Sequence, residues 1–185
     1  MSIPIKKREV HEGYSTKQKK GVIKVFNKFF EKEKFDIIIE LGTSPGGFAV
    51  YLSKKALKTD TSFYTFDVRG ITPKIKYTLE QNGGVFFKEN INKNNRLADF
   101  IKSKSRVLIL NDGDKFNSFL EYAPMLKYGD YMFIHDYYAD EGIIFDGLAT
   151  YNDLEIGLKK FGLEISRYTE IFKDYLWMCL NKRGV

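Results

Sequence analysis

The chain has 185 residues, of which 43% are hydrophobic and 29% charged, and it carries a net charge of +6. This is the composition of an ordinary soluble globular protein with one sizeable core. It excludes a membrane-spanning chain, since no apolar run approaches the roughly 18 residues that a span requires. The N-terminus, MSIPIKKREV, lacks the apolar core of a signal peptide, and the lone Cys179 cannot form an internal disulfide. We therefore expect a cytoplasmic protein.

The positive charge is concentrated at the N-terminus. Residues 1–34 contain ten Lys or Arg against four Asp or Glu, and the remaining chain contains twenty of each. Such a segment is either a solvated helix face or a surface for an acidic partner, a phosphate-bearing substrate or nucleic acid.

The first predicted element is an amphipathic helix within this basic segment. Ser15 and Gln18 have the Ser-x-x-Gln spacing of a capping box. After them apolar residues recur at steps of three and four, at Val22, Val25, Phe26, Phe29 and Phe30. The pattern predicts a helix that covers one side of a sheet and exposes its lysines.

Strands and helices then alternate about five times. Apolar runs predict strands over 35–40, 62–67, 85–88, 106–110 and 129–134, and periodicity predicts helices over 47–57, 73–81, 93–102, 115–126 and 152–161. The strand at 106–110 is apolar throughout, which indicates a central position. Two last strands, 163–168 and 175–180, are expected to form a hairpin joined by a short connection. The predicted fold is α/β, a Rossmann-like three-layer sandwich with a mostly parallel sheet of about seven strands and a C-terminal antiparallel hairpin. Residues 1–34 are expected to pack on a single domain spanning 35–185.

Ligands of such sheets bind at the carboxyl ends of the strands, and acids stand at almost every one. The first strand opens into a glycine-rich turn in the stretch IIIELGTSPGGFA, where Glu40 precedes Gly42 by two residues. An acid there repels a pyrophosphate and suits a cationic ligand. Asp67, which ends the second strand, can bind both hydroxyls of a ribose. Together the two acids indicate S-adenosylmethionine (SAM), although each could instead cap a nearby helix or turn.

Over residues 35–136 the sequence resembles the class I SAM-dependent methyltransferases. IIIELGTSPGGFAV resembles their first motif and FYTFD their second. The later stretch LILNDGDKFNSFLEYAPMLKYGDYMFIHDYY resembles the small group that includes cephalosporin hydroxylase-like and macrocin O-methyltransferase-like proteins. The resemblance implies that the cofactor is held by residues at four strand ends, namely Glu40, Gly42, Thr43, Gly46, Gly47, Asp67, Glu89, Asn90 and Asp112. Among these, Asp67 would hold the ribose, and the turn of Glu89 and Asn90 would lie near the adenine.

A second set of residues is predicted to activate the methyl acceptor. In metal-dependent sugar and catechol O-methyltransferases one acid follows the fourth strand and a ligand pair follows the fifth, positions that Asp112 and the pair His135 and Asp136 match. Oxygen ligands favour Mg²⁺, whereas imidazole at a position usually held by an acid or amide favours Mn²⁺, Fe²⁺ or Zn²⁺. Alternatively, His135 is a general base without a metal. Lys115 matches the catalytic base of the catechol-type Asp-x-x-Lys pattern.

The acceptor itself is the least constrained part of the prediction. The segment 137–151 is expected to cover it, with Tyr137 and Tyr138 stacking on it and Asp140 binding its hydroxyls. The predicted activity is O-methylation of a sugar or phenol-like small molecule. Two alternatives are an RNA ribose 2′-O-methyltransferase, which the turn Pro45-Gly46-Gly47-Phe48 also resembles, and a non-catalytic SAM-binding protein. The RNA enzymes carry a lysine where this chain has His135. The oligomeric state is left open.

Overall fold

The computed structural model describes residues 8–103, 105–138, 143–144, 150–182 and 184. Within them the strands are β1 (Arg8–His11), β2 (Tyr14–Lys19), β3 (Ile37–Leu41), β4 (Ser62–Phe66), β5 (Val85–Phe87), β6 (Val107–Asn111), β7 (Tyr131–His135), β8 (Tyr137–Tyr138), β9 (Ile143–Ile144), β10 (Leu163–Ile165) and β11 (Trp177–Lys182). The helices are α1 (Val22–Lys32), α2 (Gly47–Lys58), α3 (Pro73–Gln81), α4 (Asn95–Lys102), α5 (Lys115–Tyr122), α6 (Tyr151–Phe161) and α7 (Thr169–Phe172). No helix among these residues is both long and apolar enough to cross a bilayer.

Seven strands form one mixed sheet in the order β10-β11-β7-β6-β3-β4-β5. Neighbouring strands from β7 to β5 are parallel, whereas β11 runs antiparallel to both β7 and β10. The α/β architecture with a C-terminal antiparallel hairpin is therefore confirmed. The apolar strand β6 lies fourth of the seven, at the centre, as its composition predicts.

Two apolar clusters pack on the two faces of this sheet. One contains side chains of α4, α5 and α6, and the other contains side chains of α1, α2, α3 and α7. Successive side chains of a strand point to opposite faces, so Ile39 belongs to the first cluster and Ile38 to the second. By the same alternation Glu40 and His135 point to the face of α1 and α2, because they follow Ile38 and Phe133 at two-residue steps.

The N-terminal segment differs from its prediction. Ser15 and Gln18 lie in strand β2, which forms a hairpin with β1, and α1 begins only at Val22. The predicted capping box is wrong because β2 buries every second residue, Thr16 and Gln18. All four buried residues of α1, namely Val22, Phe26, Phe29 and Phe30, lie on the predicted apolar face, so the helix itself is correct.

Two further boundaries differ. The helix predicted over 115–126 ends at Tyr122 and continues as a 3₁₀ turn, Ala123–Met125, which contains a proline. The strand predicted over 163–168 ends at Ile165, and the connection to β11 contains α7 and a 3₁₀ turn, Lys173–Tyr175. Neither difference affects the carboxyl edge of the parallel strands.

Candidate active site

A cavity of about 300 Å³ opens at the carboxyl ends of β3, β4 and β6. Four of the predicted cofactor-binding residues line it, namely Gly42, Asp67, Asn90 and Asp112. Glu89 lies beside it and pairs with Asn94 and Arg96. The cavity therefore occupies the edge at which doubly wound sheets bind their ligands.

Packing against neighbouring segments explains the glycines of the turn. Gly42 has a φ of 92°, and a Cβ there would lie 2.7 Å from the backbone carbonyl of Asp112. Only glycine allows the loops after β3 and β6 to approach so closely. A Cβ on Gly46 would lie 2.7 Å from the Ile75 side chain, and one on Gly47 would overlap the carbonyl oxygen of Ser15 in β2. Gly47 is therefore in contact with the N-terminal hairpin.

Glu40 is buried and belongs to a chain of hydroxyl contacts. The Thr65 hydroxyl donates to Glu40 Oε2 at 2.6 Å and lies 2.5 Å from the hydroxyl of Thr43. Burial raises the pKa of Glu40 well above its ordinary value, the charges of Asp112 and Asp67 act in the same direction, and the Thr65 hydrogen bond opposes them. A cation bound nearby would favour the charged carboxylate.

Both carboxylate oxygens of Asp67 accept hydrogen bonds. Oδ2 accepts from the Ser44 backbone N–H at 2.9 Å, and Oδ1 accepts from the Arg69 backbone N–H at 2.8 Å. The Arg69 guanidinium adds contacts of 3.2 Å to each oxygen. Burial alone would raise the pKa of Asp67, but these donors outweigh it and lower the pKa. Asp67 is thus held ionised at the cavity wall.

Asp112, His135, Asp136 and Lys115 form a compact cluster at the ends of β6 and β7. His135 Nδ1 lies 3.0 Å from Asp112 Oδ1 and 3.2 Å from Asp136 Oδ1. Lys115 Nζ lies 2.7 Å from Asp136 Oδ2 and 3.8 Å from Asp112 Oδ1. Asp136 adopts a left-handed φ of 60°, which directs its carboxylate back toward the cluster and is uncommon for a residue with a side chain.

The charges in this cluster depend on one another. Burial alone would lower the pKa of His135, but the Asp112 and Asp136 carboxylates outweigh it and raise that pKa to about 9. Burial alone would raise the pKa of Asp136, but His135 and Lys115 hold it far below its ordinary value. The two neighbouring carboxylates of Asp112 and Asp136 are stabilised by the positive charge of His135 and Lys115 beside them.

The donor set fits a divalent cation. One ligand atom from each of Asp112, His135 and Asp136 lies within 4.8 Å of the others. Neighbouring ligands of an ion held at about 2.1 Å are roughly 3 Å apart, which is close to the separations between His135 Nδ1 and the two carboxylates. A set of two carboxylates and one imidazole suits Mn²⁺ or Fe²⁺ better than a purely oxygen set does.

Sequence reasoning missed two residues that reach this cluster. Gln18 of β2 donates to Asp112 Oδ2 at 2.9 Å and accepts from the Trp177 indole N–H at 2.9 Å. The Trp177 ring lies 4.7 Å from the His135 ring. The sequence offers no signal for this strand, because its two buried residues, Thr16 and Gln18, are polar, and the spacing of Ser15 and Gln18 suggests a helix cap instead.

The predicted acceptor-binding residues are only partly described. Tyr137 is 7% exposed and packs in the apolar cluster on the α4, α5 and α6 side, and Tyr138 is half-buried in the β8–β9 hairpin. Asp140 lies outside the described residues. The role of all three in substrate binding stays a prediction.

Comparison with solved structures identifies the fold of this chain. No family model and no curated protein matches the sequence, but solved structures do. CmcI without ligand superposes with a TM-score of 0.70 at 14% identity, covering 96% of this chain and 77% of CmcI. CmcI with Mg-SAM gives a TM-score of 0.66 at 15% identity, covering 95% and 77%. The chain has the class I methyltransferase fold.

Two more distant structures have the same architecture. A precorrin-6y C5,15-methyltransferase from Geobacter metallireducens gives a TM-score of 0.54 at 11% identity, covering 100% of this chain and 98% of that one. A putative ribosomal RNA methyltransferase from Plasmodium falciparum gives a TM-score of 0.51 at 16% identity, covering 89% of this chain and 96% of that one. At these identities the comparison defines the fold and leaves the acceptor open.

Proposed function

We propose that the protein transfers the methyl group of SAM to a hydroxyl of a small molecule, with a divalent cation held by Asp112, His135 and Asp136. One observation carries the proposal: Asp112 both lines the cavity at the carboxyl edge and belongs to the cluster with His135 and Asp136. A methyl donor in the cavity would therefore lie directly beside an acceptor held at the cluster. Methyl transfer requires mainly this alignment of donor and acceptor.

The residues around the cavity suit the two ends of SAM. Asp67 is ionised and can accept both ribose hydroxyls once the Arg69 guanidinium moves aside, and the Arg69 side chain is 62% exposed. Glu40 does not line the cavity but is buried at the end of β3, near enough to Asp67 and Asp112 to feel their charges, and a sulfonium bound close by would stabilise its carboxylate form. The same two acids would disfavour the phosphates of a dinucleotide.

The residues of the cluster suit the activation of a hydroxyl. A divalent cation at Asp112, His135 and Asp136 would make a bound hydroxyl more acidic. Lys115 is the amine positioned to accept the released proton, since its Nζ lies within 4 Å of carboxylates of both Asp112 and Asp136. Asp136 holds that amine in place but favours its ammonium form, so the neutral form that accepts a proton would require the positive charge of a cation bound at the cluster.

Calorimetry followed by a methyl-incorporation assay tests this proposal. We expect S-adenosylhomocysteine (SAH) and SAM to bind, Mn²⁺ or Mg²⁺ to bind separately, and methyl transfer to a sugar or phenol to stop when a chelator removes the metal. Failure to bind SAM or SAH would refute the methyltransferase assignment. Binding without transfer to any sugar, phenol or RNA would instead favour a non-catalytic SAM-binding protein.

An RNA acceptor is the alternative that the basic N-terminal segment favours. Residues 1–34 carry a surplus of six positive charges, which could contact phosphates. His135 argues against it, because the RNA enzymes that the turn resembles use a lysine there. Methyl incorporation into a short RNA, with binding that weakens steeply as salt rises, would replace the small-molecule proposal.

A further inference from the structure

The N-terminal hairpin reaches the metal-binding cluster through a single side chain. Gln18 is 1% exposed although it lies in a short strand near the start of the described chain. Its amide nitrogen donates to Asp112 Oδ2, and its amide oxygen accepts from Trp177 Nε1, both at 2.9 Å. Gln18 therefore joins β2, the loop after β6 and the first residue of β11.

The chemistry of the two partners fixes the orientation of this amide. An indole N–H can only donate, so the Gln18 oxygen must face Trp177. The amide nitrogen then faces Asp112 and donates to its Oδ2. A glutamine side chain supplies one acceptor and one donor and is long enough to contact both partners. A glutamate would place a second negative charge against Asp112, and an apolar side chain would leave both partners without these hydrogen bonds.

Gln18 also determines which oxygen of Asp112 faces the cluster. Oδ2 is bound to Gln18, so Oδ1 is the atom that faces His135 Nδ1 at 3.0 Å and Lys115 Nζ at 3.8 Å. Trp177 lies opposite His135 across the β7–β11 pair, so the indole that orients Gln18 also packs on the imidazole.

The hairpin is itself held in place. The Thr16 hydroxyl accepts from the Gln18 backbone N–H at 3.1 Å and donates to the Glu9 carbonyl at 2.9 Å, which ties β2 to β1. The backbone of Ser15 meanwhile packs on the bare Cα of Gly47 at the start of α2. Gln18 therefore projects from a fixed backbone into the cluster.

We propose that Gln18 is a positioning residue of the metal site, which holds Asp112 with Oδ1 directed at the ion. The inference rests on the proposed function in that it requires a cation at Asp112, His135 and Asp136. Residues that orient metal ligands typically contribute about 10–100-fold to metal affinity, and this is the loss expected when Gln18 is replaced.

The test measures Mn²⁺ affinity by calorimetry or electron paramagnetic resonance, with SAH affinity and the thermal midpoint measured on the same samples. Gln18→Met keeps the length of the side chain and removes its polar atoms. Gln81→Met, at the exposed end of α3, is the matched control. We expect Gln18→Met to weaken Mn²⁺ binding at least about tenfold and to leave SAH binding unchanged, whereas the control should match the wild type in both.

A second variant covers the case in which Gln18→Met does not fold. Gln18→Asn keeps the amide but is one methylene shorter, so it can reach only one of its two partners, and it should weaken Mn²⁺ binding in the same direction. Wild-type Mn²⁺ affinity in the folded variant would overturn the inference and leave the proposed function intact. An equal loss of Mn²⁺ and SAH affinity would also overturn it, since that indicates general disruption. If the wild-type protein itself bound no Mn²⁺, the metal site of the proposed function would be wrong, and the inference with it.

Discussion

Replacement of Gly47 by alanine should loosen the N-terminal hairpin. A Cβ there would overlap the carbonyl oxygen of Ser15 and lie 2.6 Å from its carbonyl carbon. Because these are backbone atoms, the hairpin itself would have to move, and such overpacking costs about 1–3 kcal/mol. Gly47 is the first residue of α2, so the preference for alanine inside helices does little to offset this cost, and the net loss should be about 1–3 kcal/mol. For a chain of this length that corresponds to a fall in thermal midpoint of about 2–12 °C.

Differential scanning calorimetry measures this loss, and Mn²⁺ titration should show a parallel effect because the hairpin carries Gln18. Gly70→Ala is the matched control, since a Cβ at Gly70 meets nothing within 4 Å. It should leave the midpoint unchanged or raise it slightly, because alanine restricts the unfolded chain. If Gly47→Ala matched Gly70→Ala in both measurements, the argument for a hairpin pressed against the turn would be refuted. A loss of SAH affinity alone would instead assign Gly47 to the cofactor.

Four further substitutions test the cavity and the cluster. Asp67→Asn should weaken SAH binding about 10–100-fold because charged hydrogen bonds to the ribose are lost. The control Asp60→Asn, in the turn before β4, should leave SAH binding unchanged. Equal calorimetric affinities of the two variants for SAH would contradict the role of Asp67 in binding the ribose. Arg69→Ala should tighten SAH binding about 2–5-fold, because the Arg69 guanidinium would no longer compete with the ribose for Asp67 and a largely exposed ion pair contributes about that much. Weaker binding would mean that Arg69 contacts the cofactor. Burial raises the pKa of Glu40 above its ordinary 4.5, so its contribution to stability is complete below pH 4.5 and is lost as the pH rises through the raised pKa. Glu40→Gln resembles the neutral acid, so its stability should fall less than that of the wild type as the pH rises through this range. If urea unfolding showed the same fall in stability for both proteins, this account of Glu40 would be wrong. Lys115→Met should slow methyl transfer by about 10²–10⁴-fold with SAH affinity unchanged, and a near-normal rate would exclude Lys115 as the base.

The sheet could be predicted because its signals are local. Apolar runs such as 106–110 and the turns that follow them are visible within short windows of sequence, and the alternation of strands and helices fixes a parallel sheet. The same rule let Asp112, Lys115, His135 and Asp136 be named together, since parallel strands bring their carboxyl ends to one edge. The structure does bring these four residues together.

The N-terminal hairpin could not be predicted, because its buried side chains are polar. Gln18 is hydrogen-bonded to partners distant in the sequence, and Thr16 is hydrogen-bonded within the hairpin. Strand β2 therefore shows no apolar alternation, and the spacing of Ser15 and Gln18 imitates a helix cap. The guanidinium contact of Arg69 with Asp67 is likewise invisible in the sequence, since a surface arginine two residues after an acid is common. Helix α7 is only four residues long, too short for a periodic signal.

The contacts of Gln18 also determine when during synthesis the acceptor side of the site can be completed. Gln18 lies 94 residues before Asp112 and 159 residues before Trp177. Closing the loop from Gln18 to Trp177 costs only about 0.5 kcal/mol more than closing the loop from Gln18 to Asp112. The contact with Trp177 therefore forms later because Trp177 is synthesised later, and not because the contact is less favourable. A ribosome-bound chain exposes the glycine turn and Asp67 well before Trp177 emerges from the exit tunnel. The proposed pocket for the methyl donor can therefore form on the growing chain, whereas Gln18 gains its second partner only after Trp177 has been synthesised.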